Sequence, residues 1–350
     1  MSTPTRESDE LAGQADAPFR FASPETRRRM LIIVNPYATT VSDRLRHLVV
    51  YALQGRFQVD AVDTEARGHA TELCREAAHE GYDVVVAFGG DGTVNEAANG
   101  LIGSTTHPSP TPLCCLPGGS ANVFGKMLGI PGDVVDATEH LLAMADDWRP
   151  RKVDVGVVNG RCFTFASGLG LDASVVERVD ANPGLKARFG PYFFTWVAVR
   201  TFLRRYLVSP PRLEVEVDGE PSYAGPRVTS AQPRKLQGVT AIVQNGSPFT
   251  YFKDRPIEIA DGAALDSGTL AGGVLRRATP LAMPSIALRA FSTHARVSKH
   301  RQVTGLDPTS ELTVRTTDGR PLPLQVDGDY LGEVTEARYS IMPQALSVIA

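Results

Sequence analysis

The chain reads as an α/β protein of two parts, a doubly wound N-terminal domain and a C-terminal β-sandwich domain, on three observations. Up to about residue 150, β-branched apolar runs alternate with helical patterns, as right-handed βαβ units require. After Lys152 helical patterns become sparse, and short strands recur beside Asn-Gly and Asp-Gly pairs that favour tight hairpins. The length, 350 residues, exceeds what one hydrophobic core usually supports. The expected division is a disordered tail over 1–28, an α/β domain over 29–152 and a sandwich over 153–350. A return of the extreme C-terminus to the first domain is left open.

Residues 1–28 mix Ser, Thr, Pro, Ala and both charges without periodicity and lack the apolar core of a signal peptide. Met30–Val34 is the first buried strand. Asn35-Pro36 then turns the chain toward a helix capped by Ser42, which leaves Asn35, Thr39 and Thr40 at a strand's carboxyl end. An Asn-Pro turn with a helix cap and a ligand contact both account for these residues. Phe57–Asp63 predicts a second strand, closed by Thr64. The spacing of Ala70, Leu73, Cys74, Ala77 and Ala78 predicts a helix with one face on the sheet. His69, at its start, reads as a solvated or capping side chain rather than a catalyst.

Chemistry begins at the third strand, Asp83–Phe88, a continuous apolar run of the kind buried on both faces of a parallel sheet. It ends in Gly89-Gly90-Asp91-Gly92, followed by Thr93, Val94, Asn95 and Glu96 in the opening turn of a helix. Glycines let backbone amides approach a ligand, and a helix N-terminus favours phosphate. An acid among such amides calls for a divalent cation, Mg²⁺, between it and the phosphates. A fourth strand, Leu113–Leu116, ends in a second turn, Pro117-Gly118-Gly119-Ser120-Ala121-Asn122, so that two turns can face one ligand. Neither turn has P-loop or dinucleotide-fold spacing.

Beyond Lys152, strands at 153–158 and 161–165 flank Asn159-Gly160, and 213–217, 311–316 and 322–326 each precede an Asp-Gly pair. All four read as hairpins. Phe189–Tyr206 predicts a helix in which Tyr192, Phe193, Phe194 and Trp196 lie beside Arg200, Arg204 and Arg205. This suits either a membrane interface or aromatics packed on the sheet beneath solvated arginines.

Composition restricts the function. A formal net charge of -3 argues against wholesale nucleic-acid binding, and no stretch is apolar enough to span a bilayer. The 4 cysteines lack metal-ligand spacing and fit reduced thiols in a cytosolic protein. Charge is unevenly spread, with no acid from Ala181 to Leu213 or from Ser267 to Leu306.

Taken in order, these motifs resemble the diacylglycerol kinase catalytic-domain family of bacterial lipid kinases, relatives of the sphingosine kinases. Gly89–Glu96 with Asn99-Gly100-Leu101 looks like its nucleotide motif, Asn35-Pro36 like its first-strand signature, and Pro117–Asn122 like its second glycine turn. Phe163–Val176, containing Gly168-Leu169-Gly170-Leu171-Asp172, and Gln325-Val326-Asp327-Gly328-Asp329 resemble its substrate-domain motifs, and the likeness runs from about Met30 to near the C-terminus. The first motif alone is shared with NAD kinases and phosphofructokinases.

The resemblance implies ATP in a cleft between the domains, contacted by Asn35, Thr64, Gly90 to Glu96 and Ser120, with Asp91 at the Mg²⁺-phosphate network. Asp329 stands where the family commonly has Glu, its proposed proton acceptor; Asp327 is the neighbouring reserve. Val123 stands where many relatives have an Asp. The segment Ala264–Leu270 looks like the family's structural Mg²⁺ loop, where oxygens at Ala264 and Thr269 flank an Asp. Ser267 occupies that position here, with Asp266 next door as a substitute. The implied activity is phosphorylation of diacylglycerol or a related lipid to a phosphatidate at an anionic membrane surface, by a cytoplasmic, peripherally bound protein. A homodimer is left open. Rival readings are a kinase for a sphingoid base, another lipid or NAD, and a nucleotide-gated lipid binder without turnover.

Overall fold

Strand β1 (Arg29–Val34) is buried from Met30 onward because it lies inside a parallel sheet, paired with β2 (Gln58–Asp63) and β3 (Val84–Gly89). This computed structural model describes residues 27–103, 109–181, 196–198, 200–217, 234–252, 255–292 and 295–350. The expected tail, but for its last two residues, lies outside them, as does the 189–195 part of the expected aromatic helix.

The first four strands run β2-β1-β3-β4, with β4 at Leu113–Pro117, joined by α1 (Asp43–Gln54), α2 (His69–Glu80) and α3 (Asp91–Ile102). Local chemistry sets the helix ends. Ser42 caps α1 by accepting from the Leu45 amide at 3.3 Å, and Gly81 closes α2 at φ 73, a left-handed conformation that glycine adopts without strain. His69 Nδ1 accepts from the Glu65 amide at 3.1 Å, which makes it a turn-closing residue. Helix α3 starts at Asp91, two residues before the expected Thr93, so Asp91 lies in its first turn. Short α4 (Val123–Met127) and α5 (Val134–Ala143) follow, the latter capped by Asp133.

The same sheet continues into the second half of the chain. Strand β5 (Arg151–Val158) pairs with β6 (Arg161–Phe163) through Asn159 and Gly160, at φ 49 and φ 82, as a type I′ turn requires. After β7 (Ala166–Leu169) and α6 (Leu171–Asp180), a π-helical segment (Phe202–Tyr206) leads to β8 (Leu213–Val217). Then come β9 (Arg234–Gly238), β10 (Thr240–Gln244), the small pair β11 (Thr250–Phe252) and β12 (Arg255–Ile257), β13 (Leu270–Leu275) and α7 (Ala282–Ala290). The chain ends with β14 (Val303–Thr309), β15 (Glu311–Thr316), β16 (Leu322–Val326), β17 (Asp329–Val334) and β18 (Glu336–Val348).

A six-stranded sheet, β14-β13-β10-β7-β16-β17, faces the antiparallel part of the large sheet. Leu169, Val243, Val274 and Val326 of one meet Val158, Val215, Val314 and Tyr339 of the other in a common core, which makes a sandwich.

Two of the four expected hairpins are not formed. Strand β15 pairs with β8 and β18, whereas β16 pairs with β7 and β17, so Asp318-Gly319 carries the chain from one sheet to the other. Strand β8 pairs with β9 across a connection of many residues rather than two. An Asp-Gly pair specifies a tight turn, but which strands then pair depends on where each apolar face can be buried.

Candidate active site

Both glycine turns lie at carboxyl ends of adjacent parallel strands, because β3 and β4 pair in register down to Gly89 and Pro117. They touch through the backbone. Gly118 N donates to Gly89 O at 2.8 Å, and a carbon added at Gly118 or Gly119 would fall 2.8 or 2.6 Å from the Cα of Gly89 or Gly90. No side chain fits on this seam. Asn122, at φ 49, seals the second turn: its Oδ1 accepts from Gly119 N at 2.9 Å and its Nδ2 donates to Gly119 O at 2.8 Å. Ser120 stands exposed at the tip. The cavity beneath the turns measures about 10 Å³, too small to admit a phosphate.

Asp91 sits where the turns meet α4, its Oδ1 accepting from Phe124 N at 3.2 Å. Burial pushes its carboxyl up to about 7; the Phe124 amide opposes this, and the nearby Asp327 and Asp329 carboxylates add to it. Those neighbours come from the other end of the chain. Asp329 lies on Gly92, whose missing side chain leaves the room: a carbon there would be 2.6 Å from Asp329 Oδ2. The first glycine turn and the expected proton acceptor are therefore in contact.

Asp327 has a different task. Its Oδ2 accepts from Thr164 N at 2.6 Å, Thr164 Oγ1 at 2.9 Å and Asn95 Nδ2 at 2.8 Å, and its Oδ1 from Phe165 N at 3.0 Å and Ala166 N at 3.1 Å. Burial raises its pKa while these donors hold it down. With five donors on two oxygens, it has no lone pair left for a substrate proton, so the reserve role expected from sequence gives way to that of a clamp. The clamp joins α3 to the sandwich. Asn95 completes it by donating to Cys162 O at 2.9 Å and accepting from Arg161 at 2.6 Å.

Further residues position the β16–β17 turn. Gln325 Oε1 accepts from Gly328 N at 2.9 Å, and its Nε2 donates to Asp172 at 2.7 Å. Burial lifts the Asp172 carboxyl to about 6 despite that bond. Gln325, Asp172 and Thr164 lie within motifs visible in the sequence; Arg161 carried no signal, because its partner Asn95 is set by tertiary contact alone.

The nucleotide set expected from sequence divides in the structure. Asn35 closes an Asx turn on Tyr37 N at 3.0 Å and donates to Thr93 Oγ1 at 3.1 Å, and Thr40 N donates to Gly118 O at 3.0 Å, so the first loop braces both turns. Pro36 and Thr39 are exposed beside it. Thr64 N donates to Val34 O at 2.8 Å. Thr93, Val94 and Asn95 are buried, and Glu96 Oε1 accepts from Gly68 N at 2.9 Å, so these four side chains hold α3 in place instead of facing the cleft.

The expected structural metal loop does not fit a metal. Ser267 Oγ lies 3.0 Å from both Ala264 O and Thr269 O, bridging the two oxygens that a cation would need, while Asp266 is exposed. Asp154 pins the loop by accepting from Gly268 N at 2.6 Å. No cluster of three His, Cys, Asp or Glu suited to a metal occurs among the described residues. One carboxylate, Asp91, completed by phosphate oxygens, is the Mg²⁺ arrangement these residues do fit.

Residues 29–158 match the sequence model of the diacylglycerol kinase catalytic domain. Over 197 residues the chain is 31% identical to a diacylglycerol kinase of Staphylococcus aureus (strain MRSA252), covering 55% of this chain and 58% of that protein. A second, from strain Newman, is 30% identical over 195 residues, with 55% and 58% covered. The chain thus spans 58% of the length of these curated relatives. A crystal structure of a diacylglycerol kinase from Bacillus anthracis str. Sterne shares the fold, with a TM-score of 0.65 at 20% identity over 93% of this chain and 97% of that one. Both glycine turns fall inside the matched segment, which is similar to the catalytic domain of the diacylglycerol kinase family.

Proposed function

We propose that the protein is an ATP-dependent lipid kinase that transfers the γ-phosphoryl group to the hydroxyl of diacylglycerol or a related lipid, yielding a phosphatidate. The observation that carries this reading is the approach of Asp329 to Gly92, which sets a carboxylate of the sandwich against the phosphate turn beside Asp91. The amides at the start of α3, where the glycine turn opens the helix, hold phosphate oxygens, and Asp91 would hold the cation. Mg²⁺, when bound, neutralises charge on the phosphates. Asp329 accepts the proton of the attacking hydroxyl, and Gln325 and Asp327 keep its turn in place.

The acceptor is a membrane lipid in this reading, and the test is an acceptor panel with labelled ATP. Diacylglycerol is expected to be labelled in preference to a sphingoid base or NAD. Asp329→Asn is expected to lower turnover by about 100-fold or more while nucleotide affinity stays near wild type. Lipid-independent ATP consumption, or full activity in Asp329→Asn, would contradict the assignment.

A further inference from the structure

Helix α7 is apolar on both sides. Met283 and Ile286 pack inward against a small core with Phe202, Tyr206 and Leu275, whereas Leu281 at 90%, Leu288 at 73% and Phe291 at 43% stand exposed. With exposed Pro284, positions 281 and 288 form one stripe along the helix. Phe291 packs edge-on against Phe252 at 5.4 Å, but Leu281 and Leu288 remain largely uncovered, an exposure unusual for so apolar a helix face. The same small core carries the segment in which Leu203, Leu207 and Val208 are also exposed.

Beside α7 lies an open cavity of about 360 Å³ lined by Arg276, Arg277, Arg301 and Gln302. The backbone builds it, Arg276 N donating to Gln302 O at 2.8 Å where β13 and β14 end together. Arg234, Arg296, Arg315 and Arg320 all pair with carboxylates. Among the described residues, Arg276, Arg277 and Arg301 form no ion pair, and no acid occurs from Ser267 to Leu306. Three guanidinium groups without acids are suited to phosphate oxygens. An apolar stripe next to such a cavity matches an anionic bilayer, with acyl chains below and phosphates above.

We infer that the outer face of α7 and the arginine cavity form a docking surface for an anionic lipid bilayer. Leu281, Leu288 and Phe291 enter the acyl boundary while Arg276, Arg277 and Arg301 hold lipid phosphates. This places the contact on a segment other than the 189–206 stretch suggested by sequence, and it rests on the lipid-acceptor reading. Leu171, next to Asp172, packs on the same small core.

The test is co-sedimentation of the full chain, without nucleotide, with phosphatidylcholine vesicles with and without phosphatidylglycerol. Wild type is expected to bind only the anionic vesicles and to be released by salt. Replacing Arg276, Arg277 and Arg301 by Gln is expected to lower partitioning by about a hundredfold. Leu281→Ser with Leu288→Ser is expected to lower it by about a hundredfold or more, as the transfer free energy of two leucine side chains requires. Both variants are expected to phosphorylate short-chain diacylglycerol in detergent micelles at the wild-type rate. If the leucine variant does not fold by circular dichroism, the arginine variant decides. Wild-type binding in the arginine variant, or no vesicle binding by wild type, overturns the proposal. So does a wild-type dimer, broken by the leucine substitutions, that binds no vesicles. Vesicle binding without lipid phosphorylation supports the docking surface and counts against the kinase reading instead.

Discussion

Gly92 and Asp329 show how one missing side chain can place a reactive one. Asp is one methylene shorter than Glu, and here the shorter carboxylate reaches the phosphate turn because Gly92 leaves its place empty. Asp91, beside them, has a linkage consequence. Its folded-state pKa of about 7 lies above the ordinary carboxylate value of 3.8, so the fold holds this proton more tightly than the unfolded chain does. Stability is therefore lost as pH rises from about 4 through about 7, by at most about 4 kcal/mol. In urea unfolding of the nucleotide-free protein, Asp91→Asn is expected to flatten that decline and to be relatively more stable at pH 8 than at pH 5. Asp172, raised to about 6, leaves a smaller decline of the same sign. Equal pH slopes for wild type and Asp91→Asn would show that Asp91 is not so perturbed.

At the scale of elements, the β16–β17 turn does most to assemble the site. Asp327 at φ 48 and Gly328 at φ 84 make a tight hairpin whose first residue turns its carboxylate into the β6–β7 connection. Asp327→Ala would leave the amides of Thr164, Phe165 and Ala166 buried without acceptors. A loss of about 3 kcal/mol or more is expected in urea unfolding. A stability loss below about 1 kcal/mol, within the range of an ordinary surface change, would contradict the clamp. The loop at 264–269 illustrates the reverse case, in which a hydroxyl closes a ring of oxygens and removes the reason for a cation.

For the whole molecule, the brace is β18. Its first residues pair with β15 in the sandwich, and Val348 at its end pairs in parallel with Leu113 of β4. Leu346, Val348 and Ile349 are buried in the core of the α/β part, at 2%, 0% and 1% exposure. Burying three such side chains contributes about 5 kcal/mol or more, comparable with the net stability of a domain. Removal of residues 343–350 is therefore expected to abolish cooperative thermal unfolding by circular dichroism. A truncated chain that melts like wild type would show that the strand is dispensable.

Several features were legible in the sequence because they depend on neighbours along the chain. Apolar runs marked the parallel strands, Ser42 marked a helix start, Asn159-Gly160 marked a hairpin, and Gly89–Glu96 with Pro117–Asn122 marked two glycine turns at adjacent strand ends. Chain order placed Asp327 and Asp329 in one motif but could not tell the clamp from the acceptor, since that depends on which donors lie within 3 Å or so after folding. Register, sheet partners and the crossing at Asp318-Gly319 were likewise decided by tertiary burial. The amino-acid sequence by itself determined which chemistry is present: glycines for phosphate, and acids for a cation and a proton. Only the tertiary structure decided where each acid lies and what it bonds, because hydrogen-bond saturation and burial arise from residues brought together across more than 160 positions of chain, as between Thr164 and Asp327.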